Sequence, residues 1–278
     1  MIDFIIDGLV DTLKLLPYLF ITFVILELIE HKLNSKNEKI LAKNKKMGPL
    51  LGGLLGAVPQ CGFSAMASNL FSNHVITLGT LIAVFLSTSD EMLPIMLSEK
   101  ASILTLLKIV GFKMVVGIFI GFIIDLVYKK NNNHINITEN CEKEHCSCEN
   151  HGIVFSSIMH TLKIGLFILV ANLLINFIIF EVGEDNISNI LLSKNIFTYF
   201  ISSLVGLIPN CVSSVIITEM YLSKLITVGT MLSGLLTGSG IGILLLFRTN
   251  KNLKENLSVL GIIYFVGVII GLLVDLVI

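Results

Sequence analysis

The chain has 278 residues, 54 % of them hydrophobic and only 14 % charged, with a formal net charge of −1 and a mean hydropathy of +0.88. So apolar a composition lies outside the range of soluble globular domains and indicates an integral membrane protein. The near-neutral balance, with Arg248 as the only arginine, excludes a clamp for nucleic acid or another polyanion.

No cleavable signal peptide is expected. Asp3 and Asp7 stand where a basic n-region would be, and the first apolar run is too long for an h-region. Apolar stretches follow at about residues 8–30, 48–73, 74–97 and 103–128, and a second set covers 153–180, 197–222, 224–247 and 258–278. Each is close to the roughly 20 residues that a helical crossing requires. Charged residues collect between them, at 31–47, 129–151, 181–194 and 248–255.

The second stretch contains GAVPQCGFSA at residues 56–65, and a looser copy, GLIPNCVSSV, occupies 206–215. The offset of 150 residues that superposes Cys61 on Cys211 also superposes Pro59 on Pro209, Thr77 on Thr227, Gly117 on Gly267 and Asp125 on Asp275. The chain is therefore a duplication, with a first membrane repeat at 1–130, a linker at 131–152 and a second repeat at 153–278.

Loop charge assigns orientation. Residues 31–47 hold six lysines against Glu38, whereas the corresponding 181–194 holds Glu181, Glu184 and Asp185 against Lys194. The positive-inside rule puts the first loop in the cytoplasm and the second outside. The contrast reverses at 248–255, which carries Arg248, Lys251 and Lys254. The expected fold is an all-α polytopic membrane protein of two inverted repeats. Inversion requires an odd number of crossings, so four apolar segments per half imply either five crossings or three crossings and a re-entrant hairpin.

The Pro-polar-Cys steps are the expected breaks. Proline lacks an N–H and disfavours helix at the preceding residue. The freed backbone groups are tolerated at membrane depth only inside protein or beside a water-filled cavity. A second interruption follows in each half, STSDEMLP at 87–94 and TGSGIG at 237–242.

These breaks carry the candidate transport site. Asp90 and Glu91 are carboxylates in a membrane segment, which costs about 2.5–3.5 kcal/mol each and usually marks an ion pathway, although a pair at the membrane surface would cost little. Cys61 and Cys211 sit at equivalent positions beside Gln60 and Asn210. Thiolates suit soft cations and trivalent arsenic, while carboxylates and carbonyls suit manganese and magnesium. Asp90, Glu91, Cys61 and Cys211 are thus the candidate metal ligands, with a buried Cys as an inert small hydrophobe the blander reading. Ser64, Asn69, Ser87, Thr88, Ser89, Ser214, Thr237 and Ser239 lie in or near the breaks. Glu219, opposite Asn69 in the alignment, either closes the site or lies at the interface.

Lys108, Lys113 and Lys163 read as structural lysines that snorkel from helix ends. Asp125 and Asp275 read as interfacial caps of the last helix in each copy, and His74 and His160 as water-exposed. The linker gathers His134, Cys141, His145, Cys146, Cys148 and His151, all common transition-metal ligands. Their spacing matches no zinc finger, so the expectation is a flexible cytoplasmic sensor or delivery arm, against a plain solvated linker.

The duplicated GxxPxC breaks, the STSDE interruption and the Cys/His-rich linker resemble a ten-helix heavy-metal exporter family whose members are described as arsenic efflux or manganese transport proteins. The resemblance spans essentially the whole chain, with PQCGFSA its most specific part. It implies export of a metal or metalloid across a bacterial inner membrane, through a pathway of PQC, STSDE and PNC, with five helices per half. The second half departs from the first by carrying TGSGIG where STSDEM stands.

The expected function is a non-enzymatic secondary transporter with its site between inverted repeats. Its partners are a metal or metalloid ion as cargo and the lipid bilayer. No cofactor is expected, and a homo-oligomer stays open. No Walker motif is present, which favours coupling to protons over ATP. Two alternatives remain: an intramembrane thiol oxidoreductase, weakened by the absence of a CxxC pair, and a transporter of an uncharged organic solute with a metal-sensing linker.

Overall fold

The structure is a computed structural model that describes residues 47–58, 61–89, 92–128 and 196–277, with scattered positions between Leu13 and Val24 and between Ile158 and Phe177. Gln60, Asp90, Glu91, the side chains of Cys61 and Cys211, His160, Lys163 and the linker residues His134, Cys141, His145, Cys146, Cys148 and His151 lie outside the described residues.

Every regular element among the described residues is a helix. The first half supplies α1 (Gly48–Gly56), α2 (Cys61–Ser72), α3 (Leu78–Ser87), α4 (Met92–Ser98) and α5 (Ile103–Val127). The second supplies α6 (Phe197–Gly206), α7 (Cys211–Leu222), α8 (Val228–Thr237), α9 (Ile241–Thr249) and α10 (Leu253–Val277). At the offset of 150 residues, α2 falls on α7, α3 on α8 and α5 on α10 with identical bounds. The apolar runs at 48–73 and 74–97 are thus each two helices. The second interruptions are shorter than the sequence suggested, since Met92–Pro94 is already helical and only Gly238–Gly240 stays outside helix in the second half.

Contacts fix the helix directions. In the first half Gly52 faces Thr80 and Val84 while Gly56 faces Val84 and Ser87, so α1 runs alongside α3 in the same direction. Gly117 faces Ala83 and Gly121 faces Gly79, so α5 runs the opposite way. Only residues 73–77 separate α2 from α3. The chain must therefore return along α2 to the end where α3 begins, making α1 and α2 a hairpin. The second half repeats this: Gly206 faces Gly234 and Thr237, and Gly267 faces Ser233 and Thr237.

Small residues permit this packing. A β-carbon at Gly117 would lie 2.8 Å from the Ala83 carbonyl oxygen, and one at Gly267 would lie 2.7 Å from the Ser233 carbonyl oxygen. Backbones that approach so closely gain van der Waals contact that lipid cannot supply.

Helix starts are pinned by a device shared by both halves. Thr77 Oγ1 accepts from the Thr80 N–H at 3.1 Å and donates to Asp125 Oδ2 at 2.7 Å, while Asp125 Oδ1 accepts from the Gly79 N–H at 2.9 Å. Thr227 and Asp275 repeat the arrangement on Gly229 and Thr230, with Tyr199 Oη donating to Asp275 Oδ2 at 2.9 Å. The expectation that these aspartates cap their own helices is corrected. Each comes from the end of α5 or α10 and caps the N-terminus of the neighbouring α3 or α8, where orphan N–H groups and the helix dipole favour a carboxylate.

Four stretches among the described residues are long and apolar enough to cross a membrane: Leu78–Ser98, Ile103–Val127, Val228–Thr249 and Leu253–Val277. The interrupted pair are 75 % and 83 % buried within the protein, the continuous pair 33 % and 28 %. The broken helices therefore form the centre of the bundle. The exposed sides of α5 and α10 carry Leu104, Leu107, Phe119, Phe265, Ile269 and Leu276, an apolar surface suited to lipid.

Candidate functional site

The two halves meet where α3 packs on α8 and α10 and along two outer seams, where α2 packs on α9 and α4 packs on α7. Along the first, Ser68 Oγ donates to the Gly242 carbonyl at 2.7 Å, and Ser72 Oγ and Thr249 Oγ1 share a hydrogen bond at 2.6 Å. A β-carbon at Gly242 would meet Ser64 Cβ and Phe85 Cε1, each at 2.8 Å. This seam is closed.

The second seam holds a cavity of about 10 Å³ lined by Thr88, Ser89, Met92 and Lys113 of the first half and Asn210, Ser213, Ser214, Leu235, Gly238 and Gly240 of the second. That is about the smallest space that admits one water molecule. Both helix interruptions contribute to it, residues 88–89 after α3 and 238–240 after α8, together with the start of α7. A larger cavity, about 310 Å³, lies between α1, α2 and α3. Its lining is almost wholly apolar, and its two hydroxyls, Thr77 and Thr80, are engaged in capping α3. The small polar cavity is the candidate site.

Lys113 is its principal charged group among the described residues and corrects the snorkelling reading. It lies midway along α5 and is only 1 % exposed. Its Nζ donates to the Thr88 carbonyl and, at 2.8 Å, to the Leu235 carbonyl. Those carbonyls belong to the C-terminal ends of α3 and α8, where the last turns leave acceptors without intrahelical partners and the dipole favours a cation. The sequence did hold a signal for this placement: Lys113 shares the helical stripe of the buried Leu106, Ile109, Gly117, Gly121 and Ile124. Lys108 is exposed, as a snorkelling lysine would be, and so is His74, in a left-handed turn with φ 58°.

Of the other residues singled out from sequence, Thr88, Ser89, Asn210 and Ser214 line the cavity. Asn210 is held by its role at the start of α7, with Oδ1 accepting from the Val212 N–H at 3.3 Å. Thr88 Oγ1 donates to the Val84 carbonyl at 2.7 Å, which leaves its lone pairs available. Three others have local structural roles: Ser64 is buried at the closed seam, Ser87 donates to the Ala83 and Val84 carbonyls of its own helix, and Thr237 ties α8 to the Ser203 carbonyl of α6 at 3.0 Å. Asn69 is buried on α2, and its Nδ2 has no hydrogen-bond partner.

Glu219 is exposed on α7 and does not line the cavity. Ser239, between the lining residues Gly238 and Gly240, is fully buried, and its Oγ has no hydrogen-bond partner. Met92 and Ser213 were missed in sequence because a Met and a Ser in apolar helices carry no signal of their own. Met92 supplies a soft thioether beside the hydroxyl and carbonyl oxygens. Among the described residues no group of three or more His, Cys, Asp or Glu side chains is placed to hold a metal ion.

Comparison with known proteins adds to the geometry. No curated protein and no solved structure gives a significant match. The model of a family described as "Putative, 10TM heavy-metal exporter" matches residues 1–185, well over half of the chain and including the first repeat, both of its breaks and the linker. The apolar helical bundle, its paired breaks and this match together make the chain a multi-pass membrane protein that belongs to the 10TM heavy-metal exporter family.

Proposed function

We propose that the protein is a secondary transporter that moves a heavy-metal cation or metalloid out of the cell through the cavity between its two repeats. The observation that carries the reading is the meeting of two interrupted helices, one from each repeat, at a single polar cavity inside an apolar bundle. Discontinuous helices that turn their ends toward a shared point supply carbonyl acceptors and partial charges at membrane depth without lipid exposure.

Helix directions support inversion. Ser68 pairs with Gly242 and Ser72 with Thr249, so α2 and α9 run in the same direction. The chain follows α2 back to the starting end of α3, whereas α9 continues away from the starting end of α8. On this reading α3 and α8 begin on opposite sides of the membrane, each hairpin is re-entrant, and each half crosses three times.

Oxygen atoms of Thr88, Ser89, Asn210, Ser213 and Ser214 and the Met92 sulfur form the described part of the ligand set. Asp90 and Glu91, adjacent to Ser89 and Met92 in the chain, would add charge, and the thiols of Cys61 and Cys211 would add softness. Manganese, another divalent metal and an arsenic species all suit parts of this set. Export across a bacterial inner membrane, driven by protons, with the Cys/His-rich linker delivering cargo from the cytoplasm, completes the proposal.

Uptake into inverted vesicles across Mn²⁺, Fe²⁺, Co²⁺, Zn²⁺, arsenite and methylarsenite, with and without a pH gradient, is the direct test. At least one of these should accumulate in vesicles containing the protein, and Asp90→Asn with Glu91→Gln should abolish the accumulation. Unchanged uptake by that double variant would remove the proposed ion site.

A further inference from the structure

We propose that Lys113 is a tethered stand-in for the cargo cation: its ammonium fills the cation site formed by the C-terminal ends of α3 and α8 when no cargo is bound, and incoming cargo must displace it. The inference rests on the transport reading above and assigns to that same site a device which the sequence comparison does not address.

Three observations carry it. The Lys113 ammonium is held by one backbone carbonyl from each repeat, Thr88 and Leu235, so it bridges the two bodies at their centre. Its counterpart in the second repeat is Ile263, buried in apolar packing, so the second repeat places no cation at the equivalent position. The cavity around it has about 10 Å³ of free space, room for about one water molecule, so a hydrated cation does not fit while the ammonium stays in place.

Helix C-termini gathered at one point attract a cation and are destabilised without one. A cation bound covalently to the transporter answers that need in the cargo-free state and permits the empty protein to reorient. When cargo arrives, its charge replaces that of the ammonium at the carbonyls, so affinity is moderated by the competition. A transporter without the ammonium would hold metal more tightly and return empty less readily.

The test uses the full-length protein in proteoliposomes, with Mn²⁺ and Cd²⁺ as probes and three readings: equilibrium binding, net efflux toward a metal-free side, and exchange with the same metal on the opposite side. In Lys113→Gln, binding should tighten about tenfold and net efflux should slow by at least a similar factor, while exchange persists. Lys113→Met, which keeps the length of the side chain without its charge, should give the same split and guards against a defect specific to Gln. A general folding lesion would lower net efflux and exchange together, and that result overturns the proposal. Weaker metal binding in both variants overturns it too, because it would make Lys113 a group that attracts cargo. Unchanged binding and flux in the variants would remove this inference alone, whereas failure of the wild-type protein to bind or move either metal would remove the divalent-cation reading and this inference with it.

Discussion

The two seams between the repeats occupy equivalent positions and are built from equivalent helices, yet only one contains the candidate site. On the α2–α9 seam the serines at 64, 68 and 72 meet Gly242 and Thr249, and Ser68 donates to both the Ser64 carbonyl of its own helix and the Gly242 carbonyl of its neighbour. On the α4–α7 seam the residues at the same offsets are Ser214, Thr218 and Leu222 against Met92 and Glu99. Thr218 donates only along its own helix, to the Ser214 carbonyl at 2.7 Å.

Replacing a glycine by a methionine at the contact prevents the close approach of backbones that the first seam relies on. Met92 instead joins Met96, Met220 and Met231 in an apolar cluster beside the cavity, and Lys113 occupies the place that Ile263 fills on the other side. The two halves share the bounds of three helices, and a few side chains decide which seam closes and which keeps a cavity.

The comparison is easiest to break at Gly242. Gly242→Met would copy the open seam onto the closed one and drive a side chain into Ser64 and Phe85. A loss of about 3 kcal/mol is expected from overpacking, visible as a large drop in the thermal unfolding temperature in detergent. Tolerance of this change would mean that the seam is looser than its hydrogen bonds suggest.

A smaller effect tests what the two halves share. Asp125→Asn and Asp275→Asn each remove a charge-assisted cap from the start of a neighbouring helix, at a cost of about 1–2 kcal/mol. The two losses should agree within about 0.5 kcal/mol, with Asp275→Asn the larger because Tyr199 also donates to that carboxylate. A clear effect at only one site would show that the capping device serves just one repeat.

The mildest substitution probes the open seam itself. Met92→Leu conserves volume and should alter stability by less than about 1.5 kcal/mol. Transport of Cd²⁺ should nevertheless fall more than transport of Mn²⁺, by about threefold, because a thioether favours the softer ion. Equal effects on both ions would exclude Met92 sulfur from the cargo path.

Much of this architecture was legible in the chain. The Pro209-Asn210 step announced the break between α6 and α7 because proline and its neighbours cannot continue a helix, and the hydroxyls and glycines at 88–89 and 238–240 announced the second breaks because they are poor interior helix formers in an apolar segment. The aspartates at 125 and 275 were recognised as caps but assigned to the wrong helices. Sequence proximity points to the helix that carries a side chain, whereas a carboxylate acts on whichever orphan N–H groups the packing brings near.

Lys113 was the largest misreading. A lysine in an apolar helix snorkels unless a polar partner lies within reach inside, and that partner is set by tertiary contact alone.

By itself the sequence determined the membrane class and the family and pointed to a repeat and to interrupted helices, because hydropathy, offset identity and backbone propensity are properties of local chain. Only the tertiary structure decided which break residues meet, which seam closes and where a buried ammonium finds its carbonyls. Those depend on contacts such as Lys113 with Leu235, 122 residues apart in the chain, whose partners no local pattern specifies.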